Sequence, residues 1–487
     1  MTRSPGARLI AAVLSGALLG GCAIGPNYTR PVVAEPATFR GQVTAEAASF
    51  ADAPWWEAFQ DPALKALIAE AIRQNYDVRI AAARVQEARA FLKVARSALV
   101  PAVDYNAAAG RARIPLGGLN LPNGIDHRTD DFFAGAVTMS WELDIWGRVR
   151  RSNEAARATL LATEDAQRGV WLTLVSDLAQ SYFELLALDV QLQIARDSTQ
   201  AYRGTYDIFL DRLKFGTASE LETSRALGAL GVAQATIPQL ESDIVAKENA
   251  ISILLGKVPG PIPRGQPMYT QPVAPTVPAG LPSALLERRP DLRQAEQQLV
   301  AANARIGVAK AEFFPKLSLT ALFGAVSPEL SALTGGGATA WAVAGMLTGP
   351  LFNAGRTTGQ YRATIAQWEQ ARLVYERSVL IALREVSDAL TALAKLSDAE
   401  AGQEIGVKAL QAAVSHATNR YQQGLAGYYE VLEAQQQLYP AQTTLAQIRR
   451  GRLTSYVQLY KSLGGGWNLS DAQWSIHSDG ADKDTTH

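Results

Sequence analysis

The sequence predicts a mainly helical chain with a membrane β-barrel portion, and three observations carry that prediction. A proline-free stretch from Gly147 to Leu213 repeats its apolar residues on a seven-residue beat. The same stretch returns 208 positions later (355 − 147). Ahead of each copy lies a pair of amphipathic runs of about ten residues with a period of two, the length of a transmembrane barrel strand. The fold class is therefore long coiled-coil α-hairpins plus four β-strands per protomer, in an internally duplicated chain.

The first seam of the long stretch reads Trp171, Leu178, Leu185, Leu192, Thr199, Tyr206 and Leu213. Three residues on, the second reads Leu174, Ser181, Leu188, Ala195, Tyr202 and Phe209. Apolar residues at such spacing make one continuous helix packed as a coiled coil. About 67 residues at 1.5 Å each span roughly 100 Å, far beyond an ordinary globular helix. Gly147, Gly216 and Gly256 are echoed by Gly355, Gly424 and Gly464, each 208 positions on (355 − 147, 424 − 216, 464 − 256). The shifted seam reads Val379, Val386, Leu393, Glu400, Val407, Val414 and Tyr421, with Glu400 its polar exception. A repeat this long reads as two copies of one structural unit.

Taken in order, the chain opens with Arg3 and Arg8 before an apolar run from Leu9 to Leu19, the layout of a signal peptide over residues 1–21. It ends at Cys22, the only cysteine, so no intramolecular disulfide is possible. Small residues before a cysteine resemble a bacterial lipobox, which predicts N-acyl and S-diacylglycerol lipid on Cys22. Ala23 after it, by resemblance to bacterial lipoproteins, favours the outer membrane. Residues 22–54 are Pro/Ala-rich without periodicity and read as an extended arm.

The first repeat covers 55–256. Asp61 before Pro62 suits a helix start, and helical spacing continues from Leu64 to about Ala98, where Pro101 breaks it. A β-hairpin over 102–143 follows. Phe133, Gly135, Val137, Met139 and Trp141 alternate with Ala134, Ala136, Thr138 and Ser140. Then come the long helix 147–213 and a return helix 219–255. Residues 257–280 hold seven prolines and form the linker between copies. The second repeat, 281–464, carries a helix to about Phe314, a hairpin 316–349, the long helix 355–421 and a return helix 427–462. Leu330 to Gly355 is uncharged, but Gly335, Gly336, Gly337 and Pro350 leave too short an apolar core for a spanning helix, so strands are expected. The tail 465–487 is polar.

Composition narrows the function. Lysine plus arginine balance aspartate plus glutamate at 46 each, with no large basic run, which argues against nucleic acid as a partner. His127, His416, His477 and His487 show no metal-ligand spacing, and no nucleophile–base arrangement or phosphate loop is visible. The sequence thus predicts neither an enzyme nor a bound cofactor. Four strands are too few for a closed barrel, whose smallest membrane forms have about eight. Unpaired edges are not tolerated in lipid, so the barrel must close between subunits. An exported lipoprotein with such strands and helices describes a conduit. A periplasm-spanning structural lipoprotein is the competing class, but a spacer needs no lipid-facing strands.

The chain resembles the outer membrane efflux proteins of the TolC/OprM group, in the NodT-like lipoprotein branch. The resemblance rests on Gly-Cys-Ala-Ile-Gly-Pro-Asn-Tyr at 21–28, Trp-Trp-Glu-Ala-Phe-Gln-Asp-Pro at 55–62 and Trp-Glu-Leu-Asp-Ile-Trp-Gly-Arg at 141–148. It also rests on Glu-Arg-Arg-Pro-Asp-Leu at 287–292, Gly-Pro-Leu-Phe at 349–352 and Leu-Gly-Gly-Gly-Trp at 463–467. It implies a homotrimer in the outer membrane with a large periplasmic portion, twelve strands forming one barrel and twelve helical columns forming a tunnel. It implies docking on a periplasmic adaptor (membrane-fusion) protein linked to an inner-membrane pump of a tripartite, RND-type efflux system. A type I protein-secretion outlet is the alternative within the class.

Two groups of residues would carry the mechanism. The long helices reverse at Arg212 to Gly216 and at Arg420 to Gly424, where a glycine in the left-handed conformation ends a helix. By resemblance the same tips face the adaptor. Just beyond lie Glu222, Glu430 and Glu433. They read either as solvated carboxylates near a helix N-terminus or, in a threefold assembly, as lumen-facing rings at the tunnel's narrow end. The resemblance implies that Glu430, Glu433 and Tyr421 close the periplasmic entrance. Glutamate replaces the commoner aspartate here, and Ala426 stands where some relatives have a basic gate residue.

Overall fold

The computed structural model describes residues 23–34, 36–42, 49–54, 58–115, 127–272, 278–466 and 469. The 1–21 leader, Cys22, Trp55 to Glu57 and almost all of the tail lie outside the described residues. In chain order the elements are α1 (Pro62–Gln74), α2 (Tyr76–Ser97), β1 (Ala102–Pro115), β2 (His127–Leu143), α3 (Arg148–Lys214) and α4 (Glu220–Leu254). Then come α5 (Leu285–Arg288), α6 (Pro290–Ala311), β3 (Lys316–Ser327), β4 (Thr339–Thr348), α7 (Arg356–Gln422) and α8 (Tyr429–Ser462). Each long helix, α3 and α7, has 67 residues. Among the described residues no helix is long and apolar enough to cross a membrane.

The chain divides into two compact units that do not follow the sequence duplication. One takes Met1–Pro31, Arg84–Thr163 and Gln294–Tyr375; the other takes Val32–Ala83, Glu164–Arg293 and Glu376–His487. Each unit draws on both sequence copies.

In the first unit the strands form one antiparallel sheet in the order β1-β2-β3-β4, so β2 and β3, from different copies, are its interior neighbours. The register assigns its faces. Residues directly opposite in an antiparallel sheet point the same way. Tyr105 pairs with Val137, Val137 with Phe323 and Phe323 with Trp341, one apolar row across all four strands. Val103, Met139, Ala321 and Val343 make the next row. From Phe133 to Leu143 this face is uncharged and apolar but for the hydroxyls of Ser327 and Thr339 at its upper rows, about 33 Å of strand, which at a barrel tilt near 45° matches a lipid band about 25 Å tall. The other face carries Asn106, Thr138, Ser140, Ser318 and Thr320. The uncharged run after Leu330 resolves into two 3-10 turns and β4, in place of a helix.

The start of the N-terminal arm, from Ile24 to Arg30, is bound to the same unit. The Ile24 amide donates to the Trp146 carbonyl (3.0 Å), and Asn303 Nδ2 donates to the Pro26 carbonyl (2.9 Å). Tyr28 Oη and Arg30 Nε both donate to Glu296, at 3.0 and 2.7 Å. A β-carbon on Gly25 would lie 2.5 Å from Gly307 Cα, so this approach of arm to α6 requires glycine. Below the sheet Arg148 makes a bidentate pair with Glu142 (2.8 and 2.6 Å), while Asp144 accepts from the Val149 and Arg150 amides and caps α3.

In the second unit the heptad seam is the core. Trp171, Leu174, Leu178 and Leu185 of α3 are buried with Leu64 and Ile68 of α1, Ile251 of α4 and Leu453 of α8. Asp61 is the N-cap of α1, accepting from the Ala63 and Leu64 amides. Its other oxygen accepts from Tyr182 Oη (3.0 Å), the Gln266 amide (2.9 Å) and Gln271 Nε2 (2.6 Å), which ties the linker down. Those donors outweigh burial and hold the Asp61 carboxyl below the usual carboxylate range. The seam's polar exception is also satisfied: buried Glu400 accepts from Arg449 (3.0 Å) and Arg452 (2.8 Å) of α8.

Two helices differ from expectation. The run from Leu64 to Ala98 is not continuous, because Asn75 is extended (ψ 134°) and its Oδ1 caps the next helix through the Asp77 and Val78 amides. The helix ahead of the second hairpin starts as a 3-10 turn and the one-turn α5, then breaks at Arg289. Pro290 disfavours the α conformation in the residue before it and opens α6 instead. Arg289 is buried there against Asp291, Glu385 and the Ser462 carbonyl.

Candidate functional site

The site is built at the reversals between each long helix and its return helix, all within the second unit. Both reversals use one device. The Gly216 amide donates to the Leu213 carbonyl (3.0 Å) and the Thr217 amide to the Arg212 carbonyl (2.8 Å). The Gly424 amide donates to Tyr421 (3.0 Å) and the Leu425 amide to Arg420 (2.9 Å). Glycines at φ +71° and +73° close these Schellman caps. Arg212 and Arg420 thus serve twice, their carbonyls ending the helix and their side chains reaching outward.

The side chains bring the two reversals together. The Arg212 guanidinium lies 4.7 Å from the centre of the Tyr421 ring. Tyr421 meets Tyr428 edge-on at 4.9 Å, and Tyr428 meets Phe209 edge-on at 4.7 Å. Thr205 and Tyr428 share a hydrogen bond between their hydroxyls. These rings form a small core with Leu230, Val431 and Leu432. Burial pushes the Tyr428 phenol up to about 12 and raises that of Tyr421, so both stay neutral at physiological pH. The buried Tyr421 hydroxyl has no hydrogen-bond partner among the described residues.

The carboxylates fall into three situations. Glu222 is committed to its own helix, accepting from the Ser219 amide (2.8 Å) in a capping box. That amide, then the Ser219 hydroxyl, holds its pKa below the usual range. Glu430 takes Arg420 at 3.2 Å, a pair about half exposed. Glu433 is exposed and, among the described residues, accepts only from Gln437, at 3.5 Å. The structure therefore joins Arg212 with Tyr421 and Arg420 with Glu430, and among the described residues it brings Glu222 to neither of the other carboxylates. Sequence reasoning missed Phe215 and Leu425, which flank the cap glycines and are 82% and 66% exposed. Two large apolar side chains beside turn glycines, one at each copy's reversal, were the available signal.

A sheet with one lipid-compatible face and, among the described residues, two open edges, in a chain that also carries paired coiled-coil hairpins, defines a subunit of a membrane channel. Comparison with known proteins gives the family. The model for outer membrane efflux proteins matches residues 67–257 and 281–465, one match per sequence copy. The solvent efflux pump outer membrane protein SrpC of Pseudomonas putida is 36% identical over 460 residues, covering 93% of this chain and 97% of that protein. The cation efflux system protein CusC of Escherichia coli O6:H1 is 35% identical over 454 residues, covering 92% and 96%. A crystal structure of CusC superposes with a TM-score of 0.80 at 32% identity, covering 91% of this chain and all of that one. The chain belongs to the outer membrane efflux protein family. It is an outer membrane channel protein of efflux systems with a large periplasmic portion, and its family is one of ducts, not enzymes.

Proposed function

We propose that three copies of this chain form the exit duct of a tripartite efflux assembly, with twelve strands closing one barrel and the coiled-coil hairpins forming a periplasmic tunnel. The observation that carries this reading is the pair of open edges. Among the described residues β1 and β4 each have one partner, and unpaired backbone groups in lipid cost several kcal/mol apiece, on the order of 2–7. A periplasmic adaptor docks on the tips through Phe215 and Leu425, held out beside Gly216 and Gly424, and the inner-membrane pump supplies the energy. Lipid on Cys22 anchors the arm. Ala23 packs against Gly147 just past the end of β2, so an acyl chain there would meet the leaflet at the foot of the barrel. The entrance is closed by Tyr421, Glu430 and Glu433, with Arg212 and Arg420 holding the tips; Glu222 acts by fixing the start of α4. The test is the mass of the detergent-solubilised protein, read with its single-channel conductance in a planar bilayer. Three chains per particle and an ion-conducting pore are expected, with conductance and cation selectivity altered by E430A/E433A. A stable, non-conducting monomer would end this reading.

A further inference from the structure

The register leaves one charge on the spanning part of the sheet. On the polar face, the rows between Ala102 and Gly110 of β1 contain a single ionisable side chain, Asp104, among the described residues. It shares a row with Thr138, Leu322 and Ala342. The other charges on that face stand at its ends. Glu142 is paired with Arg148 and Lys316 with Glu312 at the base, while Asp130 lies beyond Gly110 at the top. The apolar face of the same rows is uncharged, and Arg111 with Asp131 (3.6 Å) marks its upper limit. Asp104 is exposed and meets no cation among the described residues.

We propose that Asp104 determines the ion preference of the barrel lumen, as a ring of three carboxylates that favours cations and cationic solutes. The inference rests on the trimeric duct proposed above. Twelve strands about 4.8 Å apart and tilted by about 40° give a barrel radius of about 12 Å, which places inward carboxylates about 8–9 Å from the axis. Three such charges in water enrich cations on the axis about sixfold at 10 mM salt, where the Debye length is about 30 Å. At 1 M salt screening reduces the enrichment to about 1.2-fold. The preference belongs to low ionic strength.

The test uses the full-length protein in planar bilayers under a tenfold KCl gradient, 10 against 100 mM, in an E430Q/E433Q background so that the entrance carboxylates do not dominate. The parent should favour cations severalfold, D104N should approach no preference, and D104K should favour anions. D104N/A342D, which returns a carboxylate to the same row from β4, should recover the cation preference. All four should converge at 1 M salt. Conducting channels whose reversal potentials ignore residue 104 would overturn the inference and leave the duct standing. Folded protein that never conducts would remove the duct reading and this inference with it.

Discussion

Replacing Arg212 with alanine tests whether the tips are held shut by the contacts described. Its guanidinium lies 4.7 Å from the Tyr421 ring centre, and a partly exposed contact of that kind contributes about 1 kcal/mol. Arg420 and Glu430, about half exposed, contribute a few tenths. If the three tips open together, losing Arg212 in every protomer removes about 3 kcal/mol, or roughly 150-fold in the ratio of open to closed channels. If each tip opens alone, the change is about fivefold per tip. Single-channel recordings separate the two cases by open probability and by the presence of sublevels. Salt separates the two arginines, because at 1 M the effect of R420A should vanish while that of R212A persists. An R212A channel with the open probability of the parent would refute the latch.

Three further substitutions probe the scaffold and the anchor. D61A removes an N-cap worth about 1 kcal/mol and orphans the Tyr182, Gln266 and Gln271 donors, so trypsin should cut after Arg264 on the order of 100-fold faster. Because the Asp61 pKa is depressed on folding, the wild-type linker should be secure above its unfolded value of about 4 and loosen as pH falls through the folded one. E400Q leaves the half-buried Arg449 and Arg452 without their counter-charge and should destabilise the second unit by about 2 kcal/mol, read as a lower urea midpoint; an unchanged midpoint would show that the arginines are solvated. C22S should still give a conducting trimer with weaker membrane retention, since one lipid anchor adds little beside a barrel; complete loss of the trimer would assign Cys22 a role in assembly.

Much of the fold was legible because periodicity maps directly onto burial. Trp171, Leu178 and Leu185, placed on one seam by spacing alone, are all in the core. The alternation from Phe133 to Trp141 likewise follows from a sheet with one apolar face. What the sequence withheld was long-range pairing. Nothing local reveals that Glu400 meets arginines 49 and 52 residues away, or that Asn75 ends one helix and caps the next while its Nδ2 bonds the Leu254 carbonyl. The candidate site was half legible. Cap glycines announce the reversals, but the contact of Arg212 with Tyr421 depends on how two hairpins meet, and no spacing rule encodes that. Glu222 shares the acidity and position of Glu430 and Glu433, and only its capping box with Ser219 sets it apart.

The pairing of β2 with β3 has a consequence for how the protein is made. Leu143 finds Leu317 across 174 residues (317 − 143), whereas each hairpin closes across a single loop. Contacts between distant segments form late, after local ones. Each half can therefore prepare its own pair of strands early, but the sheet cannot be joined before the C-terminal half has emerged. The greasy face is therefore assembled last, once both halves of the chain are present to share it.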